Sequence, residues 1–429
     1  MLLFLSRMFQ SNKYQSWTTK IYIPEVQHLK MQPKNESLTN AESILSSPTT
    51  PNDLPYSQIA ETETNIHQYR LDVKSIPELH QRNQSTKLVL AYTKFYGGSL
   101  ITFGQSVSRR HKVPSAFSNC KYKCKWTSNK NDYSKSDAVV FHLYNNLDNK
   151  DFVLSELPAR RNVNQKWILM IREPPAFYYP AQLKLLNDMF NLTMTFQSTA
   201  DISIPYGGYW NLTKDHKRRP SINYMKGRNK MVIWLVSNCI TSSRREKYVE
   251  QLQKYIQVDV FGDCGKKVAL GYNQYMKNIA KHYKFYIAFE NSDCEDYITE
   301  KFWRSLHLGM IPIVRGLRAD YKKFAPPHSY IHADSFLTPE HLADYLREIS
   351  SDSEQFHEYH KWRKLYDADY LTFTINRHWP CDLCEQVHTA PQQTIDVFQQ
   401  FSETTKCFTY DGENERNRTG EHMENINRS

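Results

Sequence analysis

Five polar residues that could bind a charged ligand stand between a predicted strand and the start of a predicted helix. They are Glu290, Asn291, Tyr297, Glu300 and Lys301. The apolar run 285–289 is typical of a buried strand, and the apolar positions between 297 and 306 have helical spacing. Gly309 predicts the end of this helix, and Ile311–Val314 predicts a second strand. In parallel sheets built from such units, ligands bind where strands end and helices begin.

Two basic residues indicate that this ligand is an anion. Lys301 lies in the first turns of the predicted helix, where the helix dipole disfavours a cation unless an anion lies between them. Arg244 begins the helix after the first strand of the same region, six residues beyond Asn238. The alternatives are Arg245 in place of Arg244, and an ordinary surface lysine at position 301. Fixed cations of this kind can neutralise a departing diphosphate without a metal ion.

Glu173 is the candidate general base. It follows the predicted strand 166–172 and precedes two prolines, which fix the backbone. A carboxylate at a strand end can face a second domain across a cleft and deprotonate an attacking hydroxyl group. The alternative is a glutamate in a turn that has no part in catalysis.

Strands alternate with helices over most of the chain, which predicts an α/β fold. Residues 1–85 are rich in Asn, Ser, Thr, Gln and Pro and predict an irregular N-terminal stem or linker. We predict a first α/β domain at 86–225, a ligand-binding α/β domain at 228–375 and a C-terminal tail with a Cys-x-x-Cys at 376–429. Helices are predicted at 182–190, 244–256, 272–282, 339–349 and 353–370.

The FENS motif at 289–292, followed by DYITEK at 296–301, closely resembles the donor-binding signature of the α1,3-fucosyltransferases, glycosyltransferase family 10. The resemblance extends from about Leu88 to His388. It implies a GT-B architecture, in which two Rossmann-like domains face each other across a cleft. It also implies an enzyme that transfers L-fucose from GDP-fucose to a GlcNAc hydroxyl group on glycoprotein glycans, in α1,3 linkage.

The same resemblance implies a role for each candidate residue. Arg244 and Lys301 match the residues that bind the diphosphate of GDP-fucose, and Glu300 matches the residue that bonds to the ribose hydroxyls. Asn291 and Tyr297 match contacts to the nucleotide sugar, and Glu173 matches the base. The expected reaction is a single displacement with inversion that requires no cofactor and no metal ion. The acceptor is either the innermost GlcNAc of an N-glycan or the GlcNAc of an N-acetyllactosamine unit.

Other functions are less consistent with the sequence. An Asp-x-Asp tripeptide, which binds a metal in many glycosyltransferases, occurs at 367–369, but it ends a charged helical pattern and predicts a solvated surface. The net charge of +10 favours an anionic partner. Nucleic acid is disfavoured as that partner, because the basic runs near 216–230 lack neighbouring aromatic residues that stack on bases. The alternative function is a catalytically inactive glycan-binding relative, against which Glu173, Arg244 and Lys301 argue.

Eight cysteines include two close pairs, Cys120 with Cys124 and Cys381 with Cys384. These four residues could bind zinc as thiolates or form disulfides, either within each pair or between the first domain and the tail. The resemblance favours the cross-links, because the family often has a C-terminal Cys-x-x-Cys.

Glycosylation sequons and cysteines together favour the secretory pathway. The candidate acceptors for N-glycosylation are Asn83, Asn191 and Asn211. The resemblance implies the Golgi lumen or membrane, with an N-terminal membrane anchor. The sequence shows no run of about 18 apolar residues that would form such an anchor.

Overall fold

The computed structural model describes residues 85–94, 117, 120–143, 157–158, 161–178, 180–212, 222–268, 272–369, 379–403 and 405–408. These residues form two α/β units, each built on its own parallel β-sheet. Residues 1–84, which make up nearly all of the predicted stem, lie outside the described part, and so does Asn83. Within the described part, no helix combines the length and the apolar character needed to cross a membrane.

The first sheet contains six parallel strands in the order β2-β1-β3-β4-β5-β6. They are β1 (Lys87–Ala91), β2 (Cys124–Thr127), β3 (Ala138–Leu143), β4 (Lys166–Ile171), β5 (Leu192–Thr195) and β6 (Ile202–Ser203). Phe141 and Trp167 pack in one apolar cluster, whereas Val140 and Ile168, one position away on the same strands, pack in another. The sheet is therefore covered on both faces, which explains why its strands are continuous apolar runs.

The second sheet is also parallel, with the order β13-β12-β10-β8-β9. The remaining strands, in chain order, are β7 (Gly208–Asn211), β8 (Lys230–Leu235), β9 (Val258–Phe261), β10 (Tyr283–Ile287), β11 (Asp293–Cys294), β12 (Ile311–Val314), β13 (Ile331–His332), β14 (Tyr366–Asp369) and β15 (Cys407–Phe408). Phe285 and Tyr286, adjacent on β10, pack in different apolar clusters, so this sheet too is buried on both faces. Two Rossmann-like units confirm the predicted α/β, GT-B fold class.

Helices cover both sheets. In chain order they are α1 (Pro180–Leu185), α2 (Arg245–Leu252), α3 (Tyr272–Ala280), α4 (Glu300–His307), α5 (Tyr321–Phe324), α6 (Pro339–Ser351), α7 (Ser353–Glu358) and α8 (Trp379–Thr389). Short 3₁₀ turns lie at Lys130–Lys135, Pro175–Phe177, Ala333–Ser335 and Lys361–Lys364, and a π-helical turn lies at Phe398–Glu403. Gly309 follows α4 with φ 71°, a left-handed conformation that favours glycine, as expected for a residue that ends a helix.

Two predicted helices are longer than the observed ones. The second error also changes the predicted environment of the Asp-x-Asp tripeptide at 367–369. The helix predicted at 182–190 is only α1, which ends at Leu185. The helix predicted at 353–370 ends as α7 at Glu358, and Tyr366–Asp369 is instead strand β14, paired antiparallel with β7. Asp367 therefore lies on a strand, half-buried, and not on a solvated helix.

Residues 379–403 pack on the first sheet. Trp379 and Leu383 of α8 join the cluster that contains Val140, and Phe401 joins the cluster that contains Trp167. Lys166 at the start of β4 donates hydrogen bonds of 3.0 Å to the carbonyls of Gln386 and Val387, in the last turn of α8. A cation at this end of a helix is favoured by the helix dipole.

Two disulfides fix helix α8 to the first unit. Cys120 pairs with Cys381 and Cys124 with Cys384, so both bonds cross-link the first unit to α8. These pairings confirm the expected cross-links between the first domain and the tail, and they leave no thiolates for a zinc site formed by these four cysteines. Two further disulfides, Cys239–Cys264 and Cys294–Cys407, were not paired from the sequence.

Asn191 is wrong as a glycosylation site. Its side chain is 1% exposed, and its oxygen accepts hydrogen bonds from the main chain of Trp167 and the guanidinium of Arg161. Its nitrogen donates to the carbonyl of Gln393. A glycan on this nitrogen would break these contacts within the core. Asn211, by contrast, is exposed at the end of β7 and stays a candidate acceptor.

His142 on β3 should make the protein acid-sensitive. Its side chain is 4% exposed. Its pKa is lowered to about 3, because burial and, to a smaller extent, the charge of Arg172 outweigh the opposite effect of a hydrogen bond to the main chain of Lys94. The unfolded chain therefore binds more protons below pH 6.5, so stability falls as the pH falls from 6.5 toward 3.

Replacing His142 with leucine should remove this contribution. Between pH 6.5 and 4.5 the wild type should lose about 2 kcal/mol of unfolding free energy more than His142→Leu. Urea unfolding at several pH values measures the difference, with substitution of the exposed His282 as the control. Parallel pH profiles of wild type and His142→Leu would contradict the expectation.

Candidate active site

The loop after β10 is organised around Glu290, a carboxylate that is 4% exposed. The main-chain N–H of Thr299 donates to Glu290 Oε1 over 2.8 Å, and the Thr299 hydroxyl lies within hydrogen-bond distance of both carboxylate oxygens. Thr299 is also the N-cap of α4, because its side chain accepts from the N–H of Lys301. Glu290 therefore fixes the start of the helix that carries the predicted ligand groups.

Lys301 is held between carboxylates in this corner. Its Nζ lies 2.8 Å from Glu290 Oε2 and 3.4 Å from Glu300 Oε1, and it donates to the Thr299 hydroxyl over 2.7 Å. Burial alone would lower the pKa of Lys301, but the charges of Glu290 and Glu300 outweigh it and raise the pKa. The ammonium group is thus kept charged in a fixed position, with 19% of the side chain exposed.

Glu300 is the more open of the two carboxylates, with 38% of its side chain exposed. Burial would raise the pKa of Glu300, but Lys301 and Arg304 outweigh it and lower the pKa to about 2. Glu300 is therefore ionised at neutral pH and presents hydrogen-bond acceptors beside Lys301.

The two neighbouring arginines have different environments. Arg245 is 3% exposed, and its guanidinium donates to the carbonyl of Phe289 over 2.8 Å and to that of Asn238 over 3.1 Å. Arg244 is exposed and has a left-handed backbone (φ 45°), which is uncommon for a residue with a side chain. Of the two, Arg244 is the one exposed to solvent, whereas Arg245 is buried, joins two loops and interacts electrostatically with Glu290 and Tyr297.

Hydrogen bonds bring the turn before Arg244 against the loop at Asn291. The carbonyl of Asn291 accepts from the N–H of Ser243 over 3.2 Å, and the Ser243 hydroxyl donates to the carbonyl of Glu290 over 2.7 Å. The side-chain oxygen of Asn291 is buried and has no hydrogen-bond partner among the described residues. Arg244 and Asn291 thus lie on two adjoining loops at the ends of β8 and β10.

Glu173 lies two residues after β4 and contacts the second unit. Tyr297, from the loop before α4, donates its hydroxyl to Glu173 Oε2 over 3.2 Å. The ring of Tyr206 packs edge-on against Tyr297, with 5.9 Å between centroids, and its hydroxyl donates to the carbonyl of Arg172 over 2.5 Å. Burial, and then the charge of Glu173, raise the pKa of both tyrosines, so both stay protonated hydrogen-bond donors.

The two units approach closely beside this contact. A Cβ atom on Gly207 would lie 2.1 Å from the ring of Trp303 on α4. Only glycine therefore allows the main chain at position 207 to pack this closely against Trp303. Ser198 donates from its N–H and its hydroxyl to Asp296 Oδ2, over 2.8 and 2.7 Å. Glu173 therefore lies at an interface with direct contacts to the unit that carries Glu290, Thr299, Glu300 and Lys301, the predicted donor-binding group that is called the donor corner below.

Sequence reasoning found the residues with a predicted ligand or base role and missed most of the residues that hold them in place. Glu290 is one of the five polar residues in the sequence pattern, but the pattern does not indicate that it holds the helix start. Nothing in the sequence analysis points to Thr299 or Tyr206. The signal for Thr299 was its place directly before an amphipathic helix, where threonine is a favoured cap. Among the described residues, one group has metal-ligand spacing, Cys124, Cys384 and His388, but both its sulfurs are in a disulfide.

Two family models and several curated relatives match this chain. A fucosyltransferase N-terminal family model matches residues 84–207, and a glycosyltransferase family 10 (fucosyltransferase) C-terminal model matches 225–403. The chain is 31% identical over 332 residues to alpha-(1,3)-fucosyltransferase C of Drosophila melanogaster, which covers 72% of this chain and 75% of the relative. It is 37% identical over 245 residues to the 4-galactosyl-N-acetylglucosaminide 3-alpha-L-fucosyltransferase FUT6 of Homo sapiens. This alignment covers 56% of this chain and 65% of the relative. Superposition on a crystal structure of an alpha1,3-fucosyltransferase with GDP-fucose gives a TM-score of 0.41 and 16% sequence identity. The match covers 70% of this chain and 87% of that chain.

Proposed function

The chain belongs to glycosyltransferase family 10, the fucosyltransferases, and on this premise we propose that it moves L-fucose from GDP-fucose to a GlcNAc hydroxyl of glycoprotein glycans. The linkage formed is α1,3, with inversion at C1 of fucose. The observation that carries the proposal is the 3.2 Å hydrogen bond between Tyr297 and Glu173. It places a carboxylate of the first unit beside the loop that carries the ligand groups of the second.

The donor corner is suited to a nucleotide diphosphate. Arg244 and Lys301 would bind the two phosphates, because one is an exposed guanidinium and the other a charged, fixed ammonium beside a helix start. Glu300 would accept hydrogen bonds from the ribose hydroxyls. Asn291 and Tyr297 would contact the nucleotide sugar, as the residues that they match in the family do.

Glu173 would act as the general base in a single displacement. The acceptor oxygen forms a bond to C1 of fucose as its proton moves to Glu173, and the bond from C1 to the phosphate oxygen breaks through an oxocarbenium-like transition state. Tyr297 orients the carboxylate through its hydroxyl. GDP leaves against Arg244 and Lys301, whose fixed charges stabilise the developing negative charge without a metal ion.

The proposed setting is the Golgi lumen. Four disulfides among the described residues support an oxidising compartment, and the acceptor is an N-glycan core or an N-acetyllactosamine unit. A test incubates the protein with GDP-fucose and acceptors of both kinds, with and without EDTA. We expect transfer to one kind of acceptor at the same rate with EDTA present.

Two other outcomes of this experiment would contradict the proposal. Loss of transfer on chelation, with recovery on adding a divalent cation, would overturn the metal-independent reaction. Glycan binding without any release of GDP would favour the catalytically inactive relative.

A further inference from the structure

A cavity of about 490 Å³ lies between the two units, beside the proposed catalytic contact. The first unit contributes Phe196, Ser203 and Trp210 to its lining, and the second contributes Asp296, Trp303 and Phe324. Ser198 and Lys323 are exposed members of the same lining. The volume is typical of pockets that hold small ligands. The mechanism proposed above uses none of these side chains.

The cavity lies beside the two tyrosines that contact the segment of Glu173. Tyr206 and Tyr297 contact the segment of Glu173, whereas their chain neighbours, among them Gly207 and Asp296, line the cavity. Phe196 also lines it and packs edge-on against Tyr297, with 5.0 Å between centroids. A ligand in the cavity would thus lie next to the residues that contact Glu173 and Arg172.

The cavity is distinct from the donor corner. Lys301 and Trp303 are two residues apart on α4, which separates them by about 200° around the helix axis. Lys301 faces Glu290, whereas Trp303 faces Gly207 and the cavity. Donor and cavity ligand would therefore occupy different faces of α4, so that both could be bound together.

The lining has the chemistry that recognises an uncharged sugar. Aromatic faces such as Trp210 pack against the C–H faces of a pyranose, and a few placed polar groups bond to its hydroxyls. Asp296 is held in orientation by Ser198, and Lys323 Nζ lies 3.5 Å from the Ser198 hydroxyl. One acid and one base leave no net charge, which disfavours an anionic ligand. A purely apolar ligand would desolvate Asp296 without compensation.

We propose that this cavity binds an uncharged, non-reacting sugar residue of the acceptor glycan. The inference rests on the proposed function, because the sugar is part of the same acceptor whose hydroxyl group reaches Glu173. Contacts to remote parts of a substrate can position the reacting group. The cavity would then favour oligosaccharide acceptors over a single GlcNAc.

Kinetics of Trp210→Ala with two acceptors test this proposal. One acceptor is methyl β-GlcNAc, and the other is the N-glycan or N-acetyllactosamine oligosaccharide that the wild type uses best. We expect the KM for the oligosaccharide to rise about tenfold, as for loss of one well-packed aromatic contact. The KM for methyl β-GlcNAc, the KM for GDP-fucose and the rate of GDP-fucose hydrolysis without acceptor should stay within about twofold.

Three further variants separate binding from folding. Trp210→Phe keeps a ring and should recover most of the affinity, and Ser203→Phe should raise the oligosaccharide KM by filling the cavity. Lys322→Ala is the matched control, since Lys322 is exposed next to Lys323 and outside the lining. Equal changes for both acceptors, or an unchanged oligosaccharide KM in Trp210→Ala and Ser203→Phe, would overturn the inference. A wild type that neither transfers fucose nor hydrolyses GDP-fucose would instead overturn the proposed function.

Discussion

Replacing Glu173 with glutamine should lower kcat for fucosyl transfer by about 10²–10⁴-fold, the range for loss of a general base. The amide cannot take the proton of the acceptor hydroxyl, although its size is nearly unchanged. Tyr297 can still donate a hydrogen bond to the amide oxygen, so the contact between the units should persist. Binding of GDP-fucose, measured by calorimetry, should therefore change little, and the loss should appear at saturating concentrations of both substrates.

Glu295→Gln is the matched control for this experiment. Glu295 lies in the same loop as Tyr297, and its carboxylate lies 3.9 Å from the ammonium of Lys406, away from Glu173. Its substitution removes one negative charge from the same region without removing the proposed base. Wild-type kcat in Glu173→Gln would exclude Glu173 as the base. Equal losses in the two variants would indicate a general effect of charge.

Strands are predicted correctly from the sequence where their own residues form a recognisable apolar pattern. Strands such as Ala138–Leu143 and Ile311–Val314 were placed correctly, because strands buried on both faces are nearly continuous apolar runs. Strand β14 was missed because its pairing partner is β7, more than 150 residues earlier in the chain. Its own residues, Tyr366 to Asp369, have no apolar run, and the charged positions before them resemble a helix. Pairing across such a distance leaves no local signal.

The same distinction applies to the site. Lys301 and Glu300 could be found because their spacing relative to a strand and a helix follows from local sequence. Asn191 was misread because a three-residue sequon carries no information about burial, which here depends on Arg161, Trp167 and Gln393. The contact between Tyr297 and Glu173 joins residues 124 positions apart and required the fold.

Replacing Lys301 with methionine should raise the barrier to transfer by about 3 kcal/mol, roughly 10²-fold in kcat, if the ammonium stabilises the departing diphosphate. The effect should persist at saturating GDP-fucose, because it concerns charge that develops in the transition state. Lys247→Met is the control, since Lys247 is exposed on α2 and pairs with Glu250. Near-normal turnover of Lys301→Met would exclude the role.

Loss of activity in this variant has a second possible cause, because Lys301 also neutralises buried Glu290. Removing one partner of a buried pair leaves an uncompensated charge, which costs about 3–5 kcal/mol of stability. The double variant Glu290→Gln/Lys301→Met removes that charge while the glutamine can still accept the hydrogen bonds from Thr299. If Lys301 acts on the diphosphate, the double variant should recover the unfolding free energy lost in Lys301→Met but not its kcat. Recovery of both would show that Lys301 is needed only to keep Glu290 buried, and Arg244 would then be the cation that binds the leaving group.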